Sequence, residues 1–305
     1  MIVKTDRPVT SASCDRMILS LVEAYPFFRT ELLTTTAFQR PVRTLVMGTG
    51  PRRVIYTAAH HANEWITALI LLRFAEQLGE AIRADGRLLD IAARELVEQT
   101  TIYMVPMVDP DGVDLVVGAI GENSGQFALA RELADNYPEI PFPDGWKANL
   151  LGVDLNLQYP AGWLQAREIK FSQGFTRPAP RDYVGRAPLS QRETKALAGY
   201  TEAIDPDLVL AYHAQGKEIY WQFRDYTVPG AEELGQEFAR LSGYRLAQTP
   251  FNSSFAGYKD WFIQKFRRPA YTIEVGEGTN PLPISQFDEI YGDNLGILLT
   301  AATGI

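Results

Sequence analysis

Apolar residues in this chain recur in short runs of strand length, set apart by turn-forming residues. The runs are Val42–Met47, Val54–Ala59, Thr101–Val108, Leu208–Tyr212 and Tyr271–Val275, each rich in β-branched or aromatic side chains. Several carry no polar alternation, the pattern of strands covered on both faces. Segments of helical spacing lie between them. Trp65–Leu78 has an apolar stripe and runs into Gly79, which predicts a stop there. Ser190-Gln-Arg-Glu193 has the form of a capping box that opens a helix to about Ala203. Ala231–Leu241 and Phe287–Ala302 are spaced as further helices. Strands alternating with helices predict an α/β fold with layers around a sheet.

The stretch Gly112–Ala187 breaks this rhythm. It is rich in Gly, Pro, Asn and aromatic residues, with weak periodicity. A loop region of that length inside a compact chain predicts function. No repeat, low-complexity tract or shift in composition marks a boundary, so residues 1–305 read as one domain.

Composition narrows the class. The chain is 46% hydrophobic and 22% charged, an ordinary globular balance, and its formal net charge of −8 argues against nucleic acid as a partner. Cys14 is the single cysteine, so the fold stands on its core without an internal disulfide, and no histidine nearby in sequence points to an activated thiol. The first residues, Met-Ile-Val-Lys-Thr-Asp-Arg-Pro, lack the apolar run of a signal peptide. The most apolar segment, Trp65–Leu72, is too short to span a bilayer. The expectation is a cytoplasmic protein with no membrane partner.

The three histidines carry the chemistry. His61-x-x-Glu64 follows the Val54–Ala59 run, and His213 ends the run Leu208–Tyr212. Residues three apart meet on one face of a helical turn. Ligands in open α/β sheets gather at the carboxyl ends of strands. Two imidazoles and a carboxylate make a three-ligand set for a catalytic zinc with a fourth position open. His60, next to this set, reads as a supporting residue.

The flanking residues sharpen this. His61-Ala-Asn-Glu-Trp-Ile66, Asp109-Pro-Asp-Gly112, Gly152-Val-Asp-Leu-Asn156, the strand into His213, and Asp260-Trp261 followed by Glu274 in Tyr-Thr-Ile-Glu-Val stand in the same order as five motifs of the zinc carboxypeptidases, which the chain resembles over residues 42–276. The resemblance implies a three-layer α/β/α fold with a central mixed, twisted sheet. It also implies one Zn2+ per chain held by His61, Glu64 and His213, and Glu274 as general base and then general acid. Lys147, after Trp146, stands where the family places an oxyanion-binding arginine.

Two cations of that family are missing. Leu157 follows Asn156 where an arginine grips a substrate's terminal carboxylate, and Asn63 stands between the His and Glu ligands where arginine is common. The variant segments Gly152–Trp163, Tyr212–Trp221, Ala256–Phe262 and Gly278–Pro283 resemble a bacterial branch of γ-D-glutamyl-meso-diaminopimelate peptidases. That resemblance implies a small peptide from peptidoglycan as substrate. Lys259 lies where the family's specificity pocket has its base and is expected to bind a substrate carboxylate. Asn156, Tyr258, Gln215 and Arg181, with Lys217, Glu218 and Asp182, are further substrate-binding candidates. A conventional carboxypeptidase, an amide deacylase of the same superfamily and a catalytically dead murein-peptide binder are the competing readings. A serine hydrolase finds no Gly-x-Ser-x-Gly segment.

Overall fold

The computed structural model describes residues 1–304. Its strands are β1 (Phe28–Thr35), β2 (Pro41–Met47), β3 (Arg52–Thr57), β4 (Arg87–Leu88), β5 (Ile91–Ala92), β6 (Thr100–Val105), β7 (Leu208–His213), β8 (Glu218–Tyr220), β9 (Arg245–Ala247) and β10 (Ala270–Glu274). Strands β4 and β5 form a separate two-residue ribbon. The others build one sheet in the order β1-β2-β6-β3-β7-β10-β8-β9. Its centre, β6-β3-β7-β10, is parallel, while β1, β2 and β8 join antiparallel, so the sheet is mixed.

Alternation along the central strands feeds two cores, because successive side chains point to opposite faces. Val54, Tyr56, Leu208, Leu210 and Tyr212 enter one core with α1 (Ser11–Ala24), α2 (Ile66–Arg83), α3 (Ala93–Gln99), α4 (Pro110–Val116), α5 (Gly125–Ala134), α8 (Ala231–Ser242) and α10 (Phe287–Thr303). Ile55, Val209, Ala211 and Ala270 enter the other with α6 (Trp163–Ser172), α7 (Arg192–Ile204) and α9 (Tyr258–Phe266). Helices on both faces explain why these strands carry no polar alternation, and they make the three expected layers. Among the described residues no helix is long and apolar enough to cross a membrane.

Three local expectations change. Helix α2 continues through Gly79 to Arg83, because the glycine lets the ring of Tyr25 approach; an added Cβ would meet that ring at 2.7 Å. Buried side chains surround α2 on nearly every side, and that packing outweighs the roughly 1 kcal/mol cost of an internal glycine. The capping box at Ser190 does not form. Ser190 Oγ donates instead to Gln158 Oε1 at 2.9 Å, and α7 begins at Arg192 with Glu193 buried. The Gly112–Ala187 stretch is not loop alone: it holds most of α4, all of α5 and α6, and a small core of Tyr137, Val153, Ala179 and Tyr183.

Candidate active site

The carboxyl ends of β3, β7 and β10 meet at one edge of the sheet. Strand β3 ends at Thr57, and the chain then turns through Ala59, a left-handed residue with φ 47°. Such a conformation costs an L residue roughly 1–2 kcal/mol, and here Thr67 holds it. Thr67 Oγ1 accepts from Ala59 N at 2.9 Å and donates to Glu64 O at 2.7 Å. The same bonds fix the short 3-10 turn Ala62–Glu64, which sets His61 and Glu64 on one side. His213 is the last residue of β7, and Glu274, the last of β10, is its register partner. Register partners project to the same face, here the face covered by α9.

Three side chains converge. His61 Nδ1 lies 3.0 Å from Glu64 Oε1, His213 Nδ1 lies 2.9 Å from Glu64 Oε2, and the two Nδ1 atoms are 3.2 Å apart. Donors about 2.0–2.1 Å from a tetrahedral zinc are about 3.3 Å from one another, so these spacings fit the edges of such a cage. Among the described residues this is the one group of three or more His, Cys, Asp or Glu side chains close enough to share an ion. Asp154 supports it: its Oδ1 is 3.2 Å from His61 Nε2 and also accepts from Asn156 N. A carboxylate on the second ring nitrogen orients a ligating histidine and leaves Nδ1 free to bind.

Electrostatics follow from this crowding. Burial opposes the charge of His61, but Glu64 and Asp154 outweigh it and push the imidazole up to about 9. Burial works against ionised Glu64 as well, yet His61, Lys147 and His213 hold it well below the usual carboxylate range. Glu274 goes the other way. Burial and the charge of Glu64 push it up to about 8, against the pull of Lys147 and His61. Glu274 is thus a carboxyl tuned toward neutrality, facing a cage that draws in positive charge.

Other expected residues divide. Lys147 lines the cleft with Nζ 2.9 Å from Glu64 Oε1. Asn156, Arg181, Asp182 and Lys259 also line it. Tyr258 does not: it is fully buried, its hydroxyl is bonded to Thr201 Oγ1 at 2.7 Å, and its ring packs against His60 and Tyr159. Its place among substrate-binding residues is therefore corrected to the cleft's supporting wall. Gln215 is exposed and outside the cleft, and Lys217 turns away to Glu289 at 2.7 Å. Glu218 is tied to Arg245 and Tyr220. His60 is buried and stacks on His213 with ring centroids 5.6 Å apart. Sequence reasoning missed Lys170, Thr249 and Asp260, which line the cleft. Only Asp260 carried a signal, as part of the Asp-Trp motif.

Leu157, which stands in the sequence where the resembled family has an arginine, lines the cleft, and Asn63 turns away to donate to Asp144 O at 2.9 Å. Gln158 beside them is structural: its Oε1 accepts from Ser190 N and Gln191 N.

A twisted mixed sheet with a three-donor cage at its carboxyl edge defines a metallopeptidase of the carboxypeptidase type. Residues 15–296 match the zinc carboxypeptidase family, and the chain belongs to it. It is 42% identical over 282 residues to gamma-D-glutamyl-L-diamino acid endopeptidase 1 of Lysinibacillus sphaericus, a match over 92% of this chain and 69% of that protein. It is 32% identical over 304 residues to protein YqgT of Bacillus subtilis strain 168, covering 98% of this chain and 78% of the relative. In fold it resembles bovine thrombin-activatable fibrinolysis inhibitor, solved with a tick carboxypeptidase inhibitor, at a TM-score of 0.75 and 16% identity over 98% of this chain and 97% of that one. The family is one of zinc enzymes, and His61, Glu64 and His213 form the possible metal site.

Proposed function

We propose that the protein hydrolyses the γ-D-glutamyl–meso-diaminopimelate bond of peptidoglycan peptides. The observation that carries this reading is the cleft. It joins the three-donor cage and Glu274 to scattered charges of both signs, and has Leu157 where a guanidinium would grip a free terminal carboxylate. The similarity to an endopeptidase named for γ-D-glutamyl-L-diamino acid bonds supports it.

In this reading His61, Glu64 and His213 hold one Zn2+, which would supply Lewis-acid polarisation of the scissile carbonyl and of water. Glu274 takes the proton of the attacking water and returns it to the leaving amine, a task suited to a carboxyl whose pKa lies near the working pH. Lys147 places an ammonium beside the cage, where the developing oxyanion needs a positive partner. Arg181 offers a guanidinium for the free α-carboxylate of D-glutamate, and Asn156 lines the same cleft. Lys259 meets a carboxylate of the second amino acid.

The test is incubation with L-Ala-γ-D-Glu-meso-diaminopimelate before and after treatment with a chelator. Chelator-sensitive release of diaminopimelate is expected. Activity confined to ordinary C-terminal peptides would make the protein a conventional carboxypeptidase, and binding without turnover would make it a murein-peptide binder.

A further inference from the structure

Arg181 does not stand alone on its side of the cleft. Lys170, in the last turn of α6, and Asp182 line the same cleft. Asp182 sits between the two cations: its Oδ1 is 2.6 Å from Lys170 Nζ, and its Oδ2 accepts from Arg181 Nε at 2.6 Å. The lysine and the acid are shielded, with side chains 9% and 14% exposed, whereas that of Arg181 is 42% exposed. Asp182 is also held at its main chain. It takes a left-handed conformation, φ 66°, and its N–H donates to Asp154 Oδ2 at 3.3 Å. Arg181 reaches the acid through Nε, which leaves its Nη donors for a ligand.

A carboxylate against a guanidinium cancels most of its charge for any third group. Arg181 and Asp182 by themselves would present a neutral pair to the cleft, a weak partner for an anion. Lys170 changes the sum, because two cations around one carboxylate leave a surplus of positive charge. We infer that Lys170 is a positioning residue for anion binding: it neutralises Asp182 from the buried side, so that the surplus charge falls on the exposed end of Arg181. This rests on the murein-peptide reading, in which Arg181 meets a substrate carboxylate, and it assigns the residue that makes that contact favourable. Asp182 then serves as a bracket. It fixes the plane of the guanidinium without silencing its charge. Lys170 acts through this pair and touches no reacting atom, so its loss weakens the bound substrate and the transition state alike. Such a loss appears in KM and leaves kcat.

The experiment measures kcat and KM on L-Ala-γ-D-Glu-meso-diaminopimelate for wild type, Lys170→Met, Lys170→Arg and a double variant that joins Lys170→Met to Asp182→Asn. Lys170→Met is expected to raise KM roughly tenfold with kcat little changed, and Lys170→Arg to return KM toward wild type. In the double variant the acid's charge leaves together with the lysine's. Arg181 is uncancelled again, and asparagine tolerates the left-handed backbone, so KM is expected to recover most of the loss. A role for Lys170 in packing alone predicts the opposite, two substitutions worse than one. A wild-type KM in Lys170→Met, a loss in kcat instead of KM, or a double variant no better than the single one overturns the inference and leaves the peptidase reading intact. One measurement needs no variant: wild type is expected to show a KM roughly tenfold higher for the same peptide with the α-carboxylate of D-glutamate converted to a carboxamide. Equal KM values for acid and amide overturn the inference. Wild type that cleaves neither peptide removes the murein reading, and the inference with it.

Discussion

Glu274 stands directly across from His213 in the parallel pairing of β10 and β7. The relationship comes from sheet register and not from loop conformation, so an acid and an imidazole of the possible metal site are held by two central strands of the sheet. Parallel strands lie about 4.8 Å apart, a spacing that brings Glu274 to the cage without direct ligation. Glu274→Gln keeps shape and removes the proposed proton carrier. The expected outcome is a loss of roughly 10²–10⁴ in kcat on the murein tripeptide, with bound zinc still near one per chain by elemental analysis. Loss of the metal along with activity would move Glu274 from proton transfer to ligation.

Metal removal tests the cage itself. A cation that binds the folded cage and not the unfolded chain should raise stability by mass action. At zinc one hundredfold above its Kd the gain is about 2.7 kcal/mol. Thermal denaturation of chelated wild type should shift upward on adding Zn2+, and His213→Ala should lose most of that shift. An equal shift in His213→Ala would place the ion elsewhere.

The strands that carry the site were legible because their environment is simple. Leu208–Tyr212 is apolar throughout and Tyr271–Val275 is apolar but for Thr272 and Glu274, and the structure covers both of their faces. His61, Glu64 and His213 were legible because ligand types at fixed spacing stood at the ends of such runs. What stayed hidden depended on tertiary partners. Gly79 reads as a helix stop until Tyr25 packs on it. Ser190 reads as a cap until Gln158 takes its hydroxyl. Tyr258 reads as a cleft residue until Thr201, distant in sequence, claims its hydroxyl from inside the core. Strand β1 escaped notice because its burial is only partial along most of its length. The pairing of Lys259 with Gln222 O could not be read, since nothing in either segment specifies the other.

Asp154 offers a test of support without ligation. Its carboxylate meets His61 Nε2 at 3.2 Å and receives Asn156 N and Asp182 N. Removing its charge in Asp154→Asn should weaken zinc binding by about 10- to 100-fold, the usual cost of losing such a partner. Competition against a chromophoric chelator measures this directly. An unchanged affinity would assign Asp154 to loop structure alone.

Glu193 ties stability to pH at the start of helix α7. It opens helix α7, is 2% exposed, and its Oε1 has no partner. Burial and the nearby charge of Asp111 push its carboxyl up to about 7. An unfolded chain releases this proton near pH 4.3. Between those values the folded state holds a proton that the unfolded state has lost, so the stability contributed by neutral Glu193 is complete below about pH 4.3 and declines as pH rises toward 7. The full penalty above that window is roughly 3–4 kcal/mol. Glu193→Gln stays neutral throughout and should flatten the decline. Urea unfolding at pH 5 and pH 8 checks it: the variant should gain on wild type at pH 8 and lose most of that advantage at pH 5. A constant offset between the two proteins at both values would mean that the glutamate is already ionised in the fold.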